Sequence, residues 1–225
     1  MKKTLTTFFL LLPFLTFAQS PGYQGKHFIL SYSPDIAITN YFNGILPIIP
    51  YEEADGLYLR HNILAEYVLS RNMSIGAEYS FLNQAAYTYT SDGSGTSYFL
   101  NIKSGSIGLD LIYYTGNNNP IAPVGNYFKV KLFLENYSAA ASAFPGNSVP
   151  SSVQTPVTGQ TFGIGIGFGH NHIIANRVLI TYGISMDWHV DNTQNEVELN
   201  QRVYEHLLGA YIFPSLRFGV GGLLF

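Results

Sequence analysis

At 225 residues the chain is long enough for one all-β barrel or sandwich, and no Ser/Pro-rich linker or break in composition divides it. Charged residues make up 11% against 15% aromatics; an average soluble protein carries roughly 25% charge, so there is little here with which to build a hydrated exterior. The formal net charge of -3 and the absence of cysteine exclude a basic nucleic-acid surface, disulfides, thiolate chemistry, Cys-based zinc sites and a lipid-anchored N-terminal cysteine.

Met1-Lys2-Lys3, an apolar run from Phe8 to Phe17 and the small-residue site Thr16-Phe17-Ala18 read as a cleavable export signal over residues 1–18, with the barrel domain at 19–225 beginning on Gln19. The apolar run is too short for a transmembrane helix. Strands are then predicted at Lys26 to Ile36, Leu57 to Ser70, Met73 to Thr90, Tyr98 to Tyr114, Tyr127 to Ser138, Gln160 to Gly169, Arg177 to Val190 and Tyr204 to Phe225. The clearest is the seventh, where Val178, Ile180, Tyr182, Ile184, Met186 and Trp188 alternate with a largely small or polar row. A period of two means a strand with two chemically different faces.

The connections alternate in length. Ala37 to Gly56, Ala139 to Gly159 and Asp191 to Val203 are long, Arg71-Asn72 is a bare turn and His170 to Asn176 is short, with Ser91 to Ser97 and Thr115 to Asn126 between the extremes. In an up-and-down meander these fall on opposite ends, as short periplasmic turns and longer external loops do in outer-membrane barrels. An even strand count puts both mature termini on the periplasmic side.

Period two alone leaves open which face is wet, because a soluble lipocalin-like barrel alternates with its apolar row inward. Three features favour the inverted arrangement. Gly163, Gly165, Gly167 and Gly169 oppose Phe162, Ile164, Ile166 and Phe168, a row too small for a hydrated exterior and suited to a crowded interior. Tyr67, Tyr79, Phe81, Tyr113, Tyr127 and Trp188 recur towards strand ends, as an interfacial girdle would. Phe225 ends the sequence and reads as an assembly signal.

With the apolar rows outside, the opposite rows hold Arg60, Glu66, Glu78, Asp110, Lys129, Lys131, Glu135, Asp187 and Arg217. An eight-stranded barrel is just wide enough to be filled by side chains, so these groups are expected to pair across the lumen as a structural network. The alternative along the same residues is a narrow path for ions or small solutes. Glu52, Glu53, Asp55, Asp92, Asp191, Glu196, Glu198 and Glu205, relieved mainly by Arg202, give acidic external loops that are either simply solvated or collect cations bridging to lipopolysaccharide phosphates.

Candidate chemistry is sparse. Ser185, Asp187 and His189 share one strand face, but at ~3.4 Å per residue Ser185 and His189 stand on the order of 14 Å apart, too far for a nucleophile and its base. His61 interrupts the apolar row Leu57, Leu59, Ile63, Ala65, Tyr67. A lipid hydrolase would need a serine and an acid beside it, and no His-x-Ser pattern is present. His170-Asn171-His172 offers two imidazoles in a predicted turn, short of the four ligands of a structural metal site. Asn136-Tyr137-Ser138 is an uninformative glycosylation pattern behind a bacterial export signal, and the glycine alternation lacks the spacing of a nucleotide loop.

Thr16-Phe17-Ala18-Gln19, Ile121-Ala122-Pro123-Val124-Gly125-Asn126-Tyr127, Phe162-Gly163-Ile164-Gly165 and Phe213-Pro214-Ser215-Leu216-Arg217-Phe218-Gly219-Val220-Gly221 give the chain a pattern that resembles the small eight-stranded, porin-like outer-membrane barrels of Gram-negative bacteria, with OmpA-, OmpX- and OmpW-like domains among them. The resemblance implies residence in the outer membrane, assembly by the barrel insertion machinery, contact with outer-membrane lipid and lipopolysaccharide, and roles from anchoring and adhesion to solute passage. No peptidoglycan-binding domain is read after the barrel, so an OmpA-type wall tether is not expected. One departure stands out. Counting back from Phe225, alternate residues are Leu223, Gly221, Gly219 and Arg217, whereas the apolar row is Leu216, Phe218 and Val220; a β-bulge at Gly221-Gly222 is predicted to bring Val220, Leu223 and Phe225 onto one face.

The sequence thus predicts one all-β domain, an up-and-down antiparallel eight-stranded transmembrane barrel with a filled polar lumen. The expected role is structural or interactive, without cofactor, metal or catalysis. A narrow channel, a lipid-modifying enzyme at His61 and a secreted soluble binder are the alternatives, and the ligand is left open.

Overall fold

The computed structural model describes residues 25–38, 57–89, 97–115, 121–143, 157–190 and 215–224. The export signal, the acidic loop residues named above and Phe225 lie outside them. The strands are β1 Phe28–Ile38, β2 Leu57–Ser70, β3 Met73–Tyr89, β4 Ser97–Thr115, β5 Gly125–Ala143, β6 Val157–Ile174, β7 Val178–Val190 and β8 Ser215–Leu223. Each pairs antiparallel with its neighbour in sequence, and β8 closes on β1 to complete the barrel.

Closure leaves no strand edge, so backbone donors and acceptors are met within the ring. The side chains then divide by parity. Outward stand Leu30, Ile63, Ile75, Ile107, Leu109, Leu132, Phe168, Ile184 and Phe218, with Ile107 69% exposed. A soluble binder needs these rows inside, and the barrel has them outside. On β5 the outward row Phe128, Val130, Leu132, Leu134 is bracketed by Asn126 and Asn136. The ten steps from Asn126 to Asn136, at ~3.4 Å each on a strand tilted by about 40°, set the two asparagines roughly 25 Å apart along the axis, the height of a bilayer-facing apolar band.

Three expectations need correction. β6 does not stop at Gly169: the ladder to β7 runs on through His170↔Tyr182, His172↔Ile180 and Ile174↔Val178, so the two histidines stand on a strand. The turn is Ile174-Ala175-Asn176-Arg177, with φ of 51° and 60° at Ala175 and Asn176 and Arg177 N–H donating to Ile174 O at 3.2 Å. Positive φ at both central residues is the type I′ geometry that follows strand twist. The bulge predicted at Gly221-Gly222 is absent. Gly222 pairs with Leu30 and Val178 and Gly221 with Ser31 and Leu179 in unbroken register, so Leu223 is buried while Val220 and Leu224 face out. Inward glycines avoid the need for an inserted residue: a Cβ on Gly221 would press on Ser31, and one on Gly219 on Thr181 and Ser33. The register shift that does occur lies between Val68 and Ser70, beside the Arg71-Asn72 turn. Finally, Tyr127 belongs to no outer girdle; it shares the inward row of Lys129 and Lys131 and is buried. At the same short-turn end Tyr67, Tyr113 and Tyr182 do face out.

The lumen is layered. At the short-turn end Ile29, Leu64, Val68, Ile112, Tyr114, Ala122, Tyr127, Leu179 and Leu223 form an apolar stopper. Residues 121–124 fold beneath it, with Ala122 N–H donating to Arg71 O at 2.6 Å and Val124 N–H to Ile121 O at 2.9 Å. Charged side chains fill the middle.

Candidate functional site

Eight charged residues meet at mid-barrel. Glu78 on β3 accepts from Lys129 at 2.7 Å, Lys131 at 3.1 Å and Arg217 at 3.1 Å. Lys131 continues to Asp187 at 2.7 Å, and Asp187 to Arg60 at 2.5 Å. Arg60 donates to Asp35 at 2.9 Å, and Asp35 accepts the Arg217 fork at 2.7 and 2.8 Å. Arg217 returns to Glu78 and the circuit closes, with Asp110 joined through Lys129 at 3.1 Å. The circuit is an alternating ring of carboxylate and cation drawn from β1, β2, β3, β5, β7 and β8. Four cations face four carboxylates, so the cluster is formally balanced, the condition under which buried charge is tolerable.

Of the nine lumen residues expected from sequence, all are buried and face inward, but they do not form one system. Glu66 stands apart towards the short-turn end, accepting from Ser74 Oγ at 2.5 Å and Tyr114 Oη at 2.6 Å. Glu135 stands towards the long-loop end, 2.6 Å from His189 Nε2. Asp35, the carboxylate that holds two arginines, is not among the lumen residues expected from sequence. Its signal is its place in the row Ser31, Ser33, Asp35, on the face opposite Leu30 and Tyr32. The supposed triad is dispersed among separate partners: Ser185 bonds Ser215 at 2.7 Å and Asp35 at 3.2 Å, Asp187 belongs to the ring, and His189 to Glu135.

β6 gives the ring no charge; it gives it room. Across the β5–β6 ladder Tyr127 faces Gly169, Lys129 faces Gly167, Lys131 faces Gly165, Phe133 faces Gly163 and Tyr137 faces Gly159. A Cβ on Gly163 would fall into the Phe133 ring, and one on Gly165 onto Asp187 Oδ1 and the Lys131 stem. Between the ring and the stopper lies a cavity of about 30 Å³, lined among others by Glu66, Tyr114, Lys129, Asn171, Thr181 and Arg217. That is room for about two waters, and Asn171 Oδ1 has no protein partner.

His61 stands outside, on the wall. Its ring is flanked by Tyr32 and Phe81, with centroids at 6.0 and 4.9 Å. Among the described residues no serine and no carboxylate bonds to it; its bond is to Tyr32 Oη at 2.6 Å. His170 bonds Asn126 Oδ1 at 2.7 Å on the outer surface, and no group of three or more metal-ligating side chains occurs among the described residues.

Neither a protein-family model nor a curated protein sequence matches the chain. Solved structures do. A major outer membrane protein from Thermus thermophilus overlays with a TM-score of 0.52 at 12% identity, over 87% of this chain and 98% of that one. The fold is that of the small eight-stranded outer-membrane barrels. Neisserial surface protein A overlays at 0.49 and 13% identity, over 88% and 96% of the two chains. The N-terminal β-barrel domain of OprF from Pseudomonas aeruginosa overlays at 0.43 and 10%, over 88% and 97%. At these identities the likeness concerns the fold, and it rests on the first overlay.

Proposed function

We propose that the chain is exported, loses residues 1–18, and resides in an outer membrane as a plugged barrel with both mature termini periplasmic, serving as a structural or interaction protein. The observation that carries this reading is the filled lumen: a closed ring of buried ion pairs lying on an apolar stopper, inside a wall whose exposed side chains are apolar over roughly 25 Å. A conducting path requires continuous water, and the ring and stopper occupy the cross-section with side chains. The comparison protein of Thermus, an outer membrane protein by name, supports the location. The outer-membrane lipids surround the wall, lipopolysaccharide lies against its outer half, and the insertion machinery assembles it. The external loops carry the recognition.

Two measurements test the proposal. After carbonate or urea washing of host membranes the chain is expected to stay in the outer-membrane pellet; release into the wash overturns the location. The refolded protein is expected to give no unitary conductance steps in a planar bilayer, and reproducible steps overturn the plug in favour of a narrow channel.

A further inference from the structure

On the outer wall a polar ring stands within the apolar band. His61 shares the outward row of β2 with Leu59 and Ile63, both exposed on the wall, so an apolar residue lies beyond it towards the long loops. Tyr32 Oη and His61 Nδ1 share a hydrogen bond of 2.6 Å; in the tautomer that accepts from the hydroxyl, the ring's proton is on Nε2. Stacking against Tyr32 and Phe81, at interplanar angles of 19° and 18°, fixes the ring. No described residue is hydrogen-bonded to Nε2. A polar group on a lipid-facing surface is a functional-site signal because hydrocarbon offers it no partner.

The neighbouring strands supply the rest. Phe81 pairs with His61 on one side and Gly105 on the other. Gly105 leaves a shallow notch in the outward row of β4, where an added Cβ would come no nearer than 3.6 Å to Tyr79 Oη. Two residues further towards the long loops that row reaches Lys103, which is exposed. Among the described residues Lys103 is the outward cation at that end; Lys26, Arg71 and Arg177 sit at the short-turn end, and the other four line the lumen. Lys103 also makes no ion pair with a described carboxylate.

We infer that this patch binds one phosphorylated, ester- or amide-linked lipid of the outer leaflet. Lys103 takes the phosphate, His61 Nε2–H donates to an acyl carbonyl, and a chain lies along the Gly105 notch. Two ladders and two residues put the His61 and Lys103 Cα atoms on the order of 12 Å apart, and the lysine stem reaches towards the headgroups. The inference rests on the membrane-spanning reading above.

The test is native mass spectrometry of the refolded full chain in detergent, titrated with phosphatidylglycerol or with diacylglycerol, which lacks the phosphate. The parent is expected to carry one saturable adduct that prefers phosphatidylglycerol. Lys103→Gln is expected to abolish the preference and Lys103→Arg to keep it, while His61→Phe, which retains the stacking, weakens both lipids about fivefold. Heat-shifted gel mobility of each variant confirms a closed barrel. Adducts indifferent to all three substitutions, or a dimer of the chain in place of a lipid adduct, overturn the site. If the protein fails to stay in washed membranes, the location falls first; retention with indifferent adducts removes the lipid site alone.

Discussion

β5 and β6 lie side by side, share an outward apolar row, and differ completely within. β5 points Tyr127, Lys129, Lys131, Phe133, Glu135 and Tyr137 into the lumen; β6 meets five of these six with glycine and Glu135 with Thr161. The glycines are there for volume. Among the β6 residues no glycine has a positive φ, so none is needed for backbone conformation. In a barrel this narrow each side chain that crosses the axis requires an opposite position that does not, and here the trade is made along a single ladder.

The comparison breaks most severely from the β5 side. Lys131→Met leaves Glu78 and Asp187 short of a buried counter-charge, and the folded barrel in lipid vesicles is expected to lose about 3–5 kcal/mol against urea. A loss under about 1 kcal/mol would mean that the ring is more hydrated than its burial indicates. From the β6 side, Gly163→Ala adds one methyl against the Phe133 ring, with an expected loss of about 1–3 kcal/mol in the same assay. Combining it with Phe133→Leu sharpens the comparison. If volume is traded across the ladder, the double variant should be more stable than the sum of the single losses by about 1–2 kcal/mol; strict additivity would mean that the two positions are independent. The smallest effect lies in the turn leaving β6. Ala175→Gly relieves a left-handed alanine and is expected to stabilise by about 0.5–1 kcal/mol. The same change with no gain, or a loss, would show that the turn is held by its strands and not by local preference.

Strand order and the sidedness of each row are legible because alternation survives in the sequence whatever the fold does next. Arg60, Glu66, Glu78 and the other expected lumen residues all follow from parity. Two errors come from giving residue type precedence over that parity. His170-Asn171-His172 resembles a turn because polar residues cluster there, yet His170 and His172 simply hold two places in an outward row that continues to Ile174. Gly221-Gly222 resembles a bulge when the count starts from Phe225, while the small inward residues fit against Ser31 without one. The partners of His61 are not legible at all, since Tyr32 and Phe81 belong to different strands.

By itself the sequence determined which side chains share a face along most of each strand, because a period of two admits two faces; Tyr127 and Leu223 are the exceptions. It could not determine who meets whom. Sliding any strand by two residues keeps every side chain on its face and changes every partner. Only the closed, tilted barrel sets the register that carries Arg60 to Asp187, Lys131 to Glu78 and Arg217 back to Asp35. With those pairs the mid-barrel charges close into a balanced ring; in another register the same charges would be buried without those partners.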